Sequence, residues 1–163
     1  MGISGRAQRL LRITDSGGIL RRYLVVNGFD GALTMLGLVI GFVVGQAVDL
    51  EVVINSCLAA AIALGMSGFS SAYISEEAER KRDLGKLEEA MITDLGDTAH
   101  GRAARWVPVL VALVNGAAPL AISLLIIAPL LFARAGVPLP LPPLYLAVGV
   151  AALLIFLLGI LLG

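Results

Sequence analysis

The sequence is poor in the residues that build most catalytic and metal centres. Cysteine and histidine occur once each, as Cys57 and His100, so there is no disulfide framework and no cysteine cluster for zinc or iron–sulfur. There is no phosphate-binding glycine loop and no serine, histidine and aspartate arrangement typical of a hydrolase. The formal net charge is zero, which gives no sign of a nucleic-acid partner. We therefore expect neither an enzyme nor a nucleic-acid-binding protein.

Apolar residues, in contrast, are in large excess. The 163-residue chain is 58% hydrophobic and 15% charged, with a mean hydropathy of +0.94. That balance is unusual for a soluble domain. The excess is concentrated in four stretches, residues 24–45, 52–74, 106–133 and 144–163, and each is about as long as the ~20 residues that a helix needs to cross a bilayer. Because the bilayer core offers no water to the backbone, each stretch is expected to be helical.

These stretches predict an all-α integral membrane protein with four transmembrane helices and a short cytoplasmic helical segment between the second and the third. We expect a cytoplasmic N-terminal segment (1–23), a hairpin of spans 1 and 2 (24–74), an acidic cytoplasmic segment (75–105) and spans 3 and 4 (106–163). The N-terminal segment has scattered arginines and no apolar core of signal-peptide length. It is expected either as an interfacial helix or as a loose tail.

Basic residues are distributed unevenly between the two sides of the predicted membrane. Of the 12 lysines and arginines, Arg134 alone falls in a connection on one side, and the others share the opposite side. Lysine and arginine are enriched in cytoplasmic loops. The pattern therefore predicts that the N-terminus is cytoplasmic, and the lack of a targeting segment favours the cell membrane.

Asp30 is the only formally charged residue within the four stretches. An aspartate in the middle of a membrane helix costs roughly 2.5–3.5 kcal/mol even on mild insertion scales, so it usually faces protein, water or a cation. Asp30 belongs to a stripe at helical spacing: Asn27, Asp30, Thr34, Gly37, Gly41 and Gly45. The three glycines let another helix approach closely. Asp30 is expected to serve cation or proton transfer, or alternatively to reach the interface or to bond a packing partner.

Spans 2 and 3 contain two further candidates. Met66 shares a helix face with Tyr73, and a thioether suits a transition metal better than Na⁺ or Mg²⁺. Methionines also commonly fill gaps in packing. Pro119 lacks the N–H that would bond the carbonyl of Asn115. This break either helps to bind an ion or is a simple kink.

The segment between spans 2 and 3 is rich in possible metal ligands. They are Glu76, Glu77, Glu79, Asp83, Glu88, Glu89, Met91, Asp94, Asp97 and His100. Carboxylates one helical turn apart can share a divalent cation, and a methionine and a histidine shift preference towards iron or manganese. Alternatively, the acids pair with the bases between Arg80 and Lys86 on a solvated helix. The helix is predicted to break near Gly85 and again near Gly96 and Gly101.

Three segments of the sequence together carry a family resemblance. They are residues 27–34 with Gly37 and Gly41, residues 65–68 with Tyr73 and the Ser-Glu-Glu-Ala-Glu run at 75–79, and the glycine and proline break at 115–119. They are similar to the first, second and third spans of the vacuolar iron transporter family. The resemblance implies a proton-coupled exporter of Fe²⁺, and often Mn²⁺, that works as a homodimer with its ion path near the two-fold axis.

The resemblance also implies roles for individual residues. Asp30 takes the place of the metal and proton carboxylate, and Met66 takes the place of the thioether. The acids that collect metal from the cytosol correspond to Glu76, Glu77 and Glu79. Glu88, Glu89 and Met91 match the family in residue type but not position by position. The family pattern further includes a glutamate near Cys57, a longer cytoplasmic segment and a fifth span, which are not found in this sequence.

The resulting hypothesis is proton-coupled export of Fe²⁺ and/or Mn²⁺ from the cytosol by a homodimer that packs through Gly37, Gly41 and Gly45. The partners are then the lipid bilayer, the transported ion and a second copy of the chain. No permanently bound cofactor is expected, because the metal is the cargo. The alternative is a non-transporting assembly or regulatory membrane protein in which Asp30 and the glycine stripe serve helix packing alone.

Overall fold

A computed structural model describes residues 16–46 and 49–162, with side chains at 23–46 and 49–161. These residues form four helices and no strand: α1 (Ser16–Val44), α2 (Leu50–Met91), α3 (Ala99–Arg134) and α4 (Pro143–Leu162). All four are long and apolar enough to cross a membrane. The predicted all-helical fold is therefore confirmed. The alternatives for residues 1–23 were an interfacial helix or a loose tail; residues 16–23 belong to α1, and residues 1–15 lie outside the described part of the chain.

The helix α3 is central to the bundle. It contacts each of the other three helices, as α1 does, whereas α2 and α4 do not touch one another within the described parts of the chain. The largest fully buried side chains include Met35 of α1, Ile54 of α2 and Ile126 of α3, which belong to one apolar core. The helices α1 and α3 therefore share the centre, and α2 and α4 flank them.

The two ends of the bundle differ in how many charged side chains they carry. At one end, residues 92–98 connect α2 to α3. All the basic side chains that the structure describes except Arg134 lie at this end, together with most of the acids; we call it the basic end. The opposite end holds the α1–α2 and α3–α4 connections. There Nε of Arg134 lies 2.9 Å from Oε1 of Glu51 and joins the end of α3 to the start of α2. Asp49 caps α2 by accepting the backbone N–H of Glu51 at 2.9 Å.

The helix α2 is longer than the sequence predicts. It runs without interruption for 42 residues, so the predicted break near Gly85 is wrong. A glycine inside a helix costs only ~1 kcal/mol relative to alanine, which strong helix formers on both sides can offset. The helix ends instead at Ile92, which adopts a left-handed conformation with φ of 52°. The predicted break near Gly96 is confirmed, while Gly101 lies inside α3.

The helix α3 continues through all three of its prolines. Pro108, Pro119 and Pro129 lie inside the helix, which runs unbroken from Ala99 to Arg134. Pro119 therefore removes one backbone hydrogen bond from α3 without ending it.

Glycines bring α1 and α2 unusually close to α3. A Cβ atom added to Gly31 of α1 would lie 2.8 Å from the Cα and carbonyl oxygen of Pro119. A Cβ atom added to Gly116 of α3 would lie 2.6 Å from the carbonyl oxygen of Gly65 of α2. Because these separations are too short for real Cβ atoms, the backbones can meet there only where side chains are missing.

Replacing Gly116 with alanine should lower the free energy of unfolding by ~1–3 kcal/mol, because the new methyl group overlaps the Gly65 backbone. Gly85→Ala is the matched control: a Cβ there meets no atom within 4 Å, and the change should stabilise α2 by ~0.5–1 kcal/mol. Thermal unfolding of both variants in one detergent, followed by circular dichroism, checks this. Equal melting temperatures would contradict the close packing.

Candidate functional site

Asp30 lies on the face of α1 that the rest of the chain leaves uncovered. Asp30, Thr34, Gly37 and Gly41 are all exposed, whereas the adjacent Gly31 is buried against α3. A Cβ atom added to Gly37 or Gly41 would meet no atom of another helix within 4 Å. We call Asp30, Thr34, Gly37 and Gly41 the open stripe. The stripe predicted from the sequence is thus present, and no other described helix of the chain packs on it.

The two end residues of the predicted stripe, Asn27 and Gly45, are not part of the open stripe. Gly45 lies one residue beyond the end of α1, where its N–H donates to the carbonyl of Gly41 at 2.9 Å. Asn27 turns inward, towards α3, and takes part in hydrogen bonds inside the bundle. The helical part of the open stripe therefore runs from Asp30 to Gly41, and Gly45 is exposed just beyond it.

A set of amide hydrogen bonds joins three helices at the level of Asn27. Its Nδ2 donates to Oδ1 of Asn115 on α3 and to the carbonyl of Tyr23 at 2.9 Å. Nδ2 of Asn115 donates in turn to the carbonyl of Gly68 on α2 at 2.6 Å. We call Asn27, Asn115 and Gly68 the amide cluster. Because Asn115 is only 4% exposed, its amide would be costly to bury without these partners.

The amide cluster also coincides with a close backbone approach. A Cβ atom added to Gly68 would lie 2.9 Å from the backbone carbonyl oxygen of Asn115. This is the carbonyl that Pro119 deprives of its helical N–H partner. It faces the Cα of Gly68. The sequence marks Asn27 and Asn115 as polar residues in apolar stretches, but their pairing follows only from the fold.

Glu76 is enclosed by the chain and does not lie on a solvated helix face. It is 5% exposed. Its Oε2 lies 3.6 Å from Nε of Arg80, one turn later on α2, and its Oε1 accepts from the hydroxyl of Tyr23 on α1 at 3.5 Å. The contact therefore joins α1 to α2 at the basic end. It lies next to the amide cluster, because the carbonyl of Tyr23 also accepts from Nδ2 of Asn27.

The predicted collecting acids differ in their surroundings. Oε1 of Glu77 lies 2.7 Å from Nζ of Lys81, and this hydrogen bond, with the attraction of the carboxylate, raises the pKa of Lys81. Glu79 and Glu89 are exposed. For Glu76 and Glu77, the structure therefore favours the alternative in which acids pair with neighbouring bases.

Glu88 has a structural role that sequence reasoning did not find. Its Oε1 accepts the backbone N–H of Leu95 at 2.9 Å, and its carbonyl accepts the N–H groups of Ile92 and Thr93. Glu88 thereby shapes the connection between α2 and α3. No local sequence pattern indicates this role, because Glu88 and Leu95 are seven residues apart across the end of a helix.

The described residues of one chain do not assemble the predicted metal ligands into a site. Met66 and Met91 are 60% and 59% exposed. No group of three or more histidine, cysteine, aspartate or glutamate side chains within residues 23–46 and 49–161 is placed to hold a metal ion. A metal site at Asp30 therefore needs ligands beyond the described residues of one chain, for example from a second copy.

Comparisons of the sequence with protein-family models and curated proteins, and of the fold with solved structures, gave no match. The resemblance to the vacuolar iron transporter family therefore stays a prediction from its motifs.

Replacing Asn115 with alanine should lower the free energy of unfolding by ~0.5–2 kcal/mol, because the Gly68 carbonyl and the Asn27 amide lose a partner. The same change in an Asn27→Ala background should cost less, since the two side chains share a hydrogen bond. Asn55→Ala is the control, because Asn55 is exposed on α2. A double-mutant cycle of detergent melting curves measures the coupling, and additive effects would contradict the amide cluster.

Proposed function

We propose that this protein is an integral membrane transporter that exports a divalent transition metal, Fe²⁺ and/or Mn²⁺, from the cytosol in exchange for protons. The observation that carries the proposal is Asp30: a carboxylate about 9 Å inside the apolar part of α1, at 1.5 Å per residue, on a face that no other described helix of its chain covers. A charged group facing hydrocarbon is costly, so Asp30 needs protein, a cation or a proton beside it.

The outer surface of the bundle supports its placement in lipid. Large apolar side chains that are more than half exposed include Leu33, Ile62, Leu125 and Phe156, one on each helix. Such a surface is unfavourable in water and suits a bilayer. By the positive-inside rule the basic end is cytoplasmic, with the N-terminus on that side. We assign the protein to the cell membrane.

A second copy of the chain is the simplest cover for the open stripe. Gly37 and Gly41 present bare backbone, which lets a helix of a second copy approach closely. Two-fold symmetry makes such an interface self-complementary, so the two stripes meet one another. The two Asp30 carboxylates then lie on the same interface. Oxygen ligands suit a divalent cation, and the exposed thioether of Met66 adds a preference for a transition metal.

Protons complete the proposed cycle. The paired carboxylates hold a cation while it crosses, and protons that arrive from the outer side replace it and neutralise the site. Exposed acids at the basic end, among them Glu79 and Glu89, raise the local concentration of cations before entry. The motif resemblance to the vacuolar iron transporter family supports the same substrate and direction.

The second candidate is a non-transporting assembly protein. It is favoured by the observation that the described residues hold no ready metal cluster, while Gly31, Gly65, Gly116 and the amide cluster serve packing between helices. In this case the open stripe binds a partner helix and Asp30 contributes only a hydrogen bond. Metal transport distinguishes the two functions.

Asp30→Asn should reduce Mn²⁺ or Fe²⁺ uptake, and the coupled proton movement, to the level of protein-free liposomes, because the amide cannot take up and release a proton. Glu51→Gln is the matched control: Glu51 is exposed at the opposite end of the bundle, where its Oε1 lies 2.9 Å from Nε of Arg134, and the change should leave transport unchanged. Proteoliposomes with a metal-sensitive and a pH-sensitive dye measure both fluxes. Full transport by Asp30→Asn would refute the mechanism, and background transport by the unmodified protein would favour the assembly role.

Gly37→Leu combined with Gly41→Leu should shift the protein from dimer to monomer without lowering the stability of the monomer, since no described residue of another helix lies within 4 Å of a Cβ at these positions. Gly149→Leu on α4 is the control, because its surroundings are equally open. Light scattering coupled to size-exclusion chromatography in detergent gives the mass of each variant. A dimer that persists in the double variant would place the interface elsewhere.

A further inference from the structure

A shallow groove lies on the outside of α3 at the basic end. It has a volume of about 520 Å³ and is lined by Arg102, Arg105, Trp106 and Val109. Trp106 is the only tryptophan of the chain and is 60% exposed. The groove is separate from Asp30, from the amide cluster and from the acids of α2, so the proposed transport function leaves it without a role.

Backbone carbonyls hold both arginines at the groove. Nη1 of Arg102 donates to the carbonyl of Asp97 at 2.7 Å, and Nη2 of Arg105 donates to the carbonyl of Gly96 at 2.6 Å. Nε of Arg105 also donates to the carbonyl of Gly101 at 3.4 Å. A guanidinium has five N–H donors, so each keeps donors for another partner. The positions of the two cations are thus fixed by the connection between α2 and α3.

Neither guanidinium group at the groove has an ion-pair partner among the described residues. The ion pairs of the basic end involve Arg80, Lys81 and Lys86, and the carboxylates of Asp94 and Asp97, in the adjacent connection, form none with Arg102 or Arg105. The groups that hold the two arginines are neutral carbonyls. Two guanidinium groups fixed in this way favour a phosphate group, whose oxygens they can bind in a bidentate manner.

An apolar track continues from the arginines along the same helix face. Trp106, Val109 and Leu113 follow Arg102 at spacings of four, three and four residues, and Leu113 is 52% exposed. The order along α3 is therefore cationic, aromatic and aliphatic. Tryptophan is enriched where a membrane protein crosses from headgroups to hydrocarbon. A free phosphate ion makes no favourable contact with the apolar half of this surface, whereas an acyl chain does.

We propose that this groove binds an anionic phospholipid of the cytoplasmic leaflet. Its phosphate lies between Arg102 and Arg105, and an acyl chain follows Trp106, Val109 and Leu113. The inference rests on the membrane orientation in the proposed function, with the basic end at the cytoplasm, and not on metal transport. Because the same arginines bind carbonyls of residues 96–101, the lipid also anchors the connection between α2 and α3 to the membrane surface.

The single tryptophan makes the groove directly observable. The full chain is reconstituted in phosphatidylcholine vesicles that contain a small fraction of either phosphatidylglycerol or phosphatidylcholine with brominated acyl chains, which quench nearby tryptophan fluorescence. Brominated phosphatidylglycerol should quench Trp106 at a lower mole fraction than brominated phosphatidylcholine. Each arginine near an anionic lipid contributes ~1 kcal/mol, so the preference should be about tenfold to thirtyfold at low salt.

The double variant Arg102→Gln and Arg105→Gln should lose this preference, and the charge-matched variant Lys81→Gln and Lys86→Gln should keep it. Equal quenching by the two lipids in the unmodified protein would overturn the proposal, whatever the variants do. A loss of preference in the lysine variant would overturn it too, since general charge attraction would then suffice. Removal of the preference by millimolar inorganic phosphate would show a site for free anions instead. Metal flux is not measured, so failure here is distinguishable from failure of the proposed transport.

Discussion

The structure depends on how closely α1 and α2 approach the backbone of α3. In a lipid environment no hydrophobic force draws helices together, so association relies on close packing of small residues and on hydrogen bonds between helices. Gly31 meets Pro119, Gly65 meets Gly116, and one turn further towards the basic end Asn115 bonds the carbonyl of Gly68. These contacts lie on one part of α3, and they make it the helix around which the other helices are arranged.

This packing decides where Asp30 can be. Asn27 and Gly31 direct one side of α1 onto α3. Asp30 is about 60° around the helix from Asn27 and about 100° from Gly31, so it lies beyond the edge of that side, where it is exposed. The only carboxylate within the four apolar stretches thus lies on a surface that the other described helices of the chain leave uncovered. In a lone chain that placement would be costly. The cost is the physical reason to expect a second copy, a cation or a proton at this surface.

Composition and periodicity were sufficient to predict the helices and the exposed stripe, because both depend on the residues of a single segment. The apolar stretches correspond to α1 to α4, and Asp30, Gly37 and Gly41 share a face as their spacing predicts. Contacts between distant residues were not predictable in this way. The partner of Asn27 is 88 positions away, at Asn115. Periodicity places both on helices but does not say which neighbour each one meets.

The acids between the second and third spans could not be assigned to one role by sequence reasoning, for a related reason. A row of carboxylates predicts either a metal site or a set of ion pairs, and only the fold decides between them. Glu77 pairs with Lys81, and Glu88 binds the backbone of the α2–α3 connection. Glu76 is buried beside Tyr23. These three are less available to a cation than exposed acids are, so the proposed chemistry depends mainly on Asp30.

The dependence on Asp30 links transport to association. In the proposed dimer the cation binds between two copies, and a ligand that binds only the associated form stabilises association by mass action. Linkage is reciprocal, so a weaker interface at Gly37 and Gly41 must also weaken the affinity for the cation. Protons compete with the metal for these carboxylates, because a proton on Asp30 removes the charge that binds the cation. The glycines of the open stripe therefore contribute to metal affinity although they have no side chain with which to bind a metal.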